Sequence, residues 1–304
     1  MSREIKDDLL EETAYVPPVR KADWLLRVGV FIVALVLFLA IFGPYIGPYD
    51  PTRTTIRIAF PPPGLIEIPG LLFDWISGKL DYPPHWMGTD ANGYDIYSRV
   101  IAAPRTDLKI ALLANILSLI VGVFFGLLAG YWRNWGTEFL IRVSDVLQSF
   151  PVFIMAMVLV ALAGRSATNI IIALALVYTP IYLRLTRAEV LSQTSRGFVE
   201  AARAMGNSEL SIALRHVLPN SLTPALIQSS VTIGFAILLT AGLSFVGAGV
   251  RPPTPEWGLM ISTGANQIVL GEWWPSVFPG LAISLTVFGF AVLGNALERR
   301  YEKG

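Results

Sequence analysis

Long apolar runs separated by short polar breaks dominate this chain. About 20 consecutive apolar residues suffice for a helix to cross the hydrocarbon of a bilayer. Six stretches fit that requirement, at residues 28–46, 110–132, 139–162, 169–185, 222–246 and 277–297. The pattern therefore predicts an all-α membrane protein of six transmembrane helices. A charged, polar tail occupies residues 1–27 and a short one residues 298–304. A signal peptide is the competing reading of the first span. The long acidic lead and the missing small-residue cleavage site favour an uncleaved anchor.

Residues 47–109 form the one long loop. Pro48, Pro51, Pro61-Pro62-Pro63, Pro69, Pro83 and Pro84 rule out a regular helix through its first part, with one short amphipathic piece over Leu71–Ile76. In the second span Gly122, Gly126 and Gly130 recur at every fourth position and share a helix face, which lets another helix approach closely. The third span opens with Arg142, Asp145 and Gln148, with Arg142 and Asp145 spaced to pair on one face, and Pro151 bends it just beyond. These polar residues form either a seam at the mouth of a pathway or an interfacial anchor. The fourth span is broken by Pro180.

One polar stretch stands out between the fourth and fifth spans: Val199-Glu200-Ala201-Ala202-Arg203-Ala204-Met205-Gly206, followed by His216-Val217-Leu218-Pro219. Glu200 to Met205 are strong helix formers, and Gly206 can adopt the left-handed conformation that ends a helix. Asn207 and Ser208 can cap a second helix running to about Leu218 before Pro219. The pattern predicts a short helix, a glycine break and another helix, with alanines giving a smooth surface for a partner.

Charge orients the chain. Lys and Arg number five in the N-terminal tail, one at Arg133, five between Arg184 and Arg215, and three in the C-terminal tail. The opposite face has six in the long loop, then Arg165 and Arg251. Loops of about 60 residues carry little topological weight, so the contrast that matters puts both termini and the polar stretch in the cytoplasm.

A mean hydropathy of +0.58 places the chain outside the soluble class. Net charge of +1 gives no case for nucleic acid. The absence of cysteine excludes disulfides, zinc–thiolate sites, iron–sulfur clusters and cysteine nucleophiles. His85 and His216 make no metal-binding pair, and no phosphate-binding Gly-x4-Gly-Lys-Ser/Thr string occurs. No catalytic residue, metal site or cofactor is expected in the chain itself. A secondary transporter would want ionisable residues at mid-membrane, and a membrane enzyme a deep acid–base or metal cluster; neither pattern is present.

Three strings carry a family resemblance. Glu200-Ala201-Ala202 with Gly206 and the His216 to Pro219 group resembles the EAA loop of bacterial ABC importer permeases. His85-Trp86-Met87-Gly88-Thr89-Asp90, running on through Gly93 and Asp95 to Ser98-Arg99, resembles the Leu-Gly-Thr-Asp block of dipeptide and oligopeptide importer permeases; Met87 and Tyr94 depart from it, Tyr94 standing where an arginine is usual. Leu243-Ser244-Phe245-Val246-Gly247 through Pro252-Pro253, Pro255 and Trp257-Gly258 resembles a third block of the same family. Near the end, Leu293-Gly294-Asn295 stands where the family often has Leu-Gly-Asp.

The resemblance points to the OppC/DppC-like branch of the binding-protein-dependent transport permeases. It implies a type I ABC importer permease fold and a second, OppB/DppB-like permease subunit. It further implies two ATPase subunits that hold ATP and Mg2+, an extracytoplasmic solute-binding protein, and surrounding membrane lipid. Glu200, Ala201, Ala202, Arg203, Met205, Gly206, His216 and Pro219 are then the ATPase-coupling residues. Arg203 and Arg215 contact either ATPase carboxylates or anionic headgroups, and His216 is a packed helix-end residue rather than a proton relay. Short peptides are the expected solute, with nickel chelates, glutathione and oligosaccharides as alternatives within the same machinery.

Overall fold

Residues 22–55 and 57–301 are described by the computed structural model. Most of the charged tail expected over residues 1–27 lies outside the described residues. In chain order the helices are α1 (Ala22–Ile46), α2 (Ile68–Ile76), α3 (Ile96–Ala102), α4 (Pro104–Tyr131), α5 (Trp135–Gln148), α6 (Val152–Ala163) and α7 (Ala167–Thr194). They continue as α8 (Gly197–Ala204), α9 (Glu209–Ile212), a π turn (Ala213–Val217), α10 (Leu218–Ser221), α11 (Thr223–Phe245), α12 (Trp257–Ala265) and α13 (Trp274–Tyr301).

Among the described residues, five helical segments are long and apolar enough to cross a membrane: α1, α3 with α4, α7, α11 and α13. The second begins well before residue 110. Asp95 caps α3 by accepting the Ser98 N–H (2.8 Å), and Pro104 opens α4 after a single intervening residue. Arg105, Asp107 and Lys109 interrupt the apolar run without interrupting the helix, so a hydropathy boundary falls inside it.

The stretch expected to be the third span is two helices, α5 and α6, meeting at 95°. Pro151 stands at the start of α6, and Asn134 and Thr137 cap α5 reciprocally. At 14 and 12 residues, neither half alone reaches the ~30 Å of a hydrocarbon core. Pro180, by contrast, does not break α7, which runs through it for 28 residues. Proline is tolerated inside such helices when neighbouring elements hold them, and α7 is held along its length by α4.

Helices α4 and α7 form the most extensive pair, and the three glycines are the reason. A Cβ on Gly122 would lie 2.4 Å from the Tyr182 Cβ; on Gly126, 2.7 Å from the Thr186 Cβ; on Gly130, 2.7 Å from Val190 Cγ1. The backbones are thus in contact along three turns. Around this pair α11, α12 and α13 close the main core, which includes Ile110, Ala114, Leu174, Tyr178, Ile237, Leu243 and Trp257. Outward faces remain oily, with Phe31 and Phe38 on α1, Ile120 and Phe124 on α4, Phe235 on α11 and Phe288 on α13 exposed. Surfaces of that kind need lipid or a partner subunit to cover them.

Candidate functional site

The polar stretch folds as a small hairpin of helices with a core of its own. Val199 and Ala202, one turn apart on α8, are buried with Ile212, Ala213 and Val217 of the second arm and with Leu127 of α4 and Val190 of α7. The hairpin is therefore seated on the ends of the two helices that the glycines hold together. The opposite face of α8 leaves Glu200, Ala201, Arg203, Ala204, Met205 and Gly206 exposed. Of the expected contact residues on α8, Ala202 is buried and faces the hairpin core. Glu200 lies in the first turn, where a negative charge suits the helix dipole.

The helix ends in a closed backbone motif. Gly206 has φ +82°, its N–H donates to the Arg203 carbonyl (3.0 Å), and the Asn207 N–H reaches back to the Ala202 carbonyl (3.2 Å). Those two bonds form a Schellman cap, which satisfies carbonyls that a helix end would otherwise leave open. Ser208 then caps α9 through the Ser211 N–H (3.4 Å). The second arm does not stop at Leu218. A π turn over Ala213–Val217 widens the helix, and the path continues through Pro219 into α10. His216 lies in that turn, half-buried, and its carbonyl accepts the Asn220 amide (2.6 Å); Pro219 is exposed.

Arg203 is engaged within the chain. Its Nε donates to Glu209 Oε1 (2.7 Å) and its Nη2 to Oε2 (3.1 Å), while the Tyr131 hydroxyl, at the end of α4, donates to the same Oε2. The guanidinium and the hydroxyl hold the Glu209 carboxyl down to about 2, so it stays charged at neutral pH. Glu209 and Tyr131 carry no signal in the sequence, because 78 residues separate them.

At the other end of the bundle, the residue 85–99 and 243–258 blocks are joined. Buried Arg99 donates to the carbonyls of Pro51 (3.0 Å), Pro253 (3.2 Å) and Thr254 (3.5 Å), and its guanidinium stacks 4.3 Å from the Tyr94 ring. Tyr94, one of the two departures from the family block, thus contributes a cation–π contact. Trp257 Nε1 donates to the Val100 carbonyl (3.0 Å), and Trp274 Nε1 to that of Thr89 (2.9 Å). His85 Nδ1 and Asp95 Oδ1 are 2.7 Å apart, both buried. Glu256 caps α12 by accepting the N–H groups of Gly258 (2.9 Å) and Leu259 (2.7 Å); burial pushes its carboxyl up, with Asp107 within hydrogen-bonding reach.

Residues 122–303 match the family described as "Binding-protein-dependent transport system inner membrane component", and residues 21–63 match "N-terminal TM domain of oligopeptide transport permease C". The chain belongs to the binding-protein-dependent transport permeases. Among similar members of this permease family is the "Di/tripeptide transport system permease protein DppC" of Pseudomonas aeruginosa, 36% identical over 89% of this chain and 85% of that protein. The "Probable D,D-dipeptide transport system permease protein DdpC" of Escherichia coli is 32% identical over 95% of each. The "Glutathione transport system permease protein GsiD" of Pectobacterium atrosepticum is 33% identical over 89% of this chain and 83% of that protein. The permease fold is also that of a chain in the MetNI methionine ABC transporter (TM-score 0.53, 17% identity, 67% of this chain and 95% of that one).

In this permease the expected Arg142–Asp145 pair is not formed. Asp145 instead meets Arg184 Nη2 of α7 at 2.6 Å, because the sharp break after α5 brings it beside α7. Among the described residues Arg142 is exposed and makes no ion pair, and Gln148 is half-buried. The Asp145–Arg184 bridge is itself half-exposed, which limits it to about 1 kcal/mol or less. Asn115, Ser118 and Thr232 are buried within the chain, and the Tyr182 hydroxyl donates to Asn115 Oδ1 and also lies within hydrogen-bonding distance of Ser229. That cluster ties α4, α7 and α11 together.

Proposed function

We propose that this permease is one of two membrane subunits forming the pathway of an ATP-driven importer of short peptides, and that the α8–α9 hairpin is where it receives force. One observation carries the reading. The exposed face of α8, with Glu200, Ala201, Met205 and Gly206, is presented by a capped helix whose buried face is welded to α4 and α7. A push on that face moves the bundle rather than bending the hairpin. The excess of Lys and Arg on this side supports a cytoplasmic position for the hairpin and both termini, where ATP is available.

In this reading the α5–α6 pair counts as the third of six crossings. Two partner ATPases bind ATP and Mg2+, and their closure carries the hairpins together. The paired α4 and α7 follow as a unit, the pathway opens outward to a solute-binding protein, and hydrolysis resets it. Transport names of the similar proteins, for dipeptides, tripeptides and D,D-dipeptides, support a peptide solute. Glutathione, itself a small peptide, is the second reading, supported by the similarity to a glutathione permease.

Gly206→Glu tests the docking surface. A Cβ there meets nothing within 4 Å, so the cost to folding is the left-handed backbone alone, about 1–2 kcal/mol. In the assembled complex the variant is expected to stay folded while ATPase binding and solute-stimulated hydrolysis both collapse. Full-strength ATPase binding with undiminished uptake would remove the hairpin from the interface.

A further inference from the structure

The hairpin is joined by the chain to α7 on one side and α11 on the other, and its core also takes in Leu127 and Tyr131 of α4. We propose that Tyr131, Glu209 and Arg203 form a positioning clasp that locks the hairpin to the end of α4 and makes hairpin and α4 move as one body. This rests on the reading of the hairpin as the force-receiving element and names the residues that pass the force on.

The geometry is specific. Gly206, the left-handed residue between α8 and α9, is the natural pivot of the hairpin. The Arg203–Glu209 fork spans that pivot with two parallel bonds, from the last turn of α8 to the first turn of α9. A bidentate pair fixes direction as well as distance, which a single contact across a pivot cannot do. Tyr131 then fastens the fixed angle to α4 through the second carboxylate oxygen. Its ring stays placed without the hydroxyl, since it packs on the hairpin core and lies 4.7 Å from the Trp132 ring. The clasp is solvent-exposed, so its contribution is to orientation far more than to folding.

Arg203 turns its Nε and Nη2 edge to Glu209 in this conformation, and among the described residues its Nη1 has no partner. The same carboxylate holds both donors, so one substitution at Glu209 removes the bonds across the pivot and the bond to α4 together.

The test uses the complete complex in nanodiscs, with spin labels at Phe124→Cys on α4 and Gly197→Cys on α8. The chain has no other cysteine, both sites are exposed, and a Cβ at Gly197 meets nothing within 4 Å. With Tyr131, Arg203 and Glu209 intact, the inter-label distance is expected to be a single narrow distribution that ATP does not change. Glu209→Gln and Tyr131→Phe are expected to keep ATPase binding and to broaden that distribution clearly beyond the width seen with the clasp intact. A distribution equally narrow in both variants, with ATPase bound, overturns the clasp and leaves the docking reading intact. Loss of ATPase binding in Glu209→Gln also overturns it, by making Glu209 a docking contact. The docking reading fails separately, if Gly206→Glu binds ATPase at full strength.

Discussion

Gly126→Leu is expected to abolish the folded bundle. A Cβ alone would sit 2.7 Å from the Thr186 Cβ and 2.8 Å from the Leu183 carbonyl oxygen, and the latter is backbone that no rotamer can move aside. Forcing extra atoms into a packed site costs about 1–3 kcal/mol where side chains can yield, and more where only backbone is available. Separating α4 from α7 would forfeit the largest helix contact in the chain and unseat the hairpin, whose core includes Leu127 and Val190 from those two helices. The expected result is loss of the monodisperse species in detergent. Gly280→Ala is the control. Its Cβ would meet only Ile261 Cδ1, at 4.0 Å, and it should change stability by no more than surface substitutions do, about 0.5 kcal/mol.

The second large effect is expected at Arg99. Arg99→Met keeps a long apolar stem but removes the guanidinium that joins the carbonyls of Pro51, Pro253 and Thr254. A hydrogen bond from a charged group contributes about 1.5–3 kcal/mol, less here because Pro253 is exposed and Pro51 and Thr254 are half-buried, so the joined loops should loosen. Arg99→Lys should rescue little, because one ammonium cannot reach three carbonyls in a planar fork or stack flat on Tyr94. Limited proteolysis reads this directly. The variant should be cut within residues 247–256 while the helices resist, and an uncut loop would mean that Arg99 is dispensable.

Much of this was legible in the chain, for physical reasons. Apolar runs report the bilayer itself, so among the described residues five membrane-length helical segments overlap stretches that hydropathy picks out. Glycine spacing reports close approach, and Gly122, Gly126 and Gly130 lie along α7. Gly206 adopts the left-handed cap because Met205 and Asn207 leave it the only residue without a Cβ at that corner.

Long-range geometry was not legible. Hydropathy cannot distinguish a bend from a 95° break, so α5 and α6 read as one span. Proline arithmetic misled at Pro180 and Pro219, because a long packed helix and a π turn absorb the missing donors. Spacing pairs Asp145 with its helical neighbour Arg142, whereas the break hands it to Arg184 on another helix. The two blocks that Arg99 joins lie 154 residues apart, and nothing local in either announces the other.

The claim that the exposed face of α8 meets an ATPase in the cytoplasm has a direct test, because the chain has no cysteine of its own. Ala201→Cys places a single thiol on that exposed face. In the assembled complex it should crosslink to a cysteine in the ATPase surface, and in intact cells it should resist a membrane-impermeant thiol reagent. Labelling from outside intact cells, with no crosslink to the ATPase, would put the hairpin on the wrong side of the membrane to receive any force from ATP.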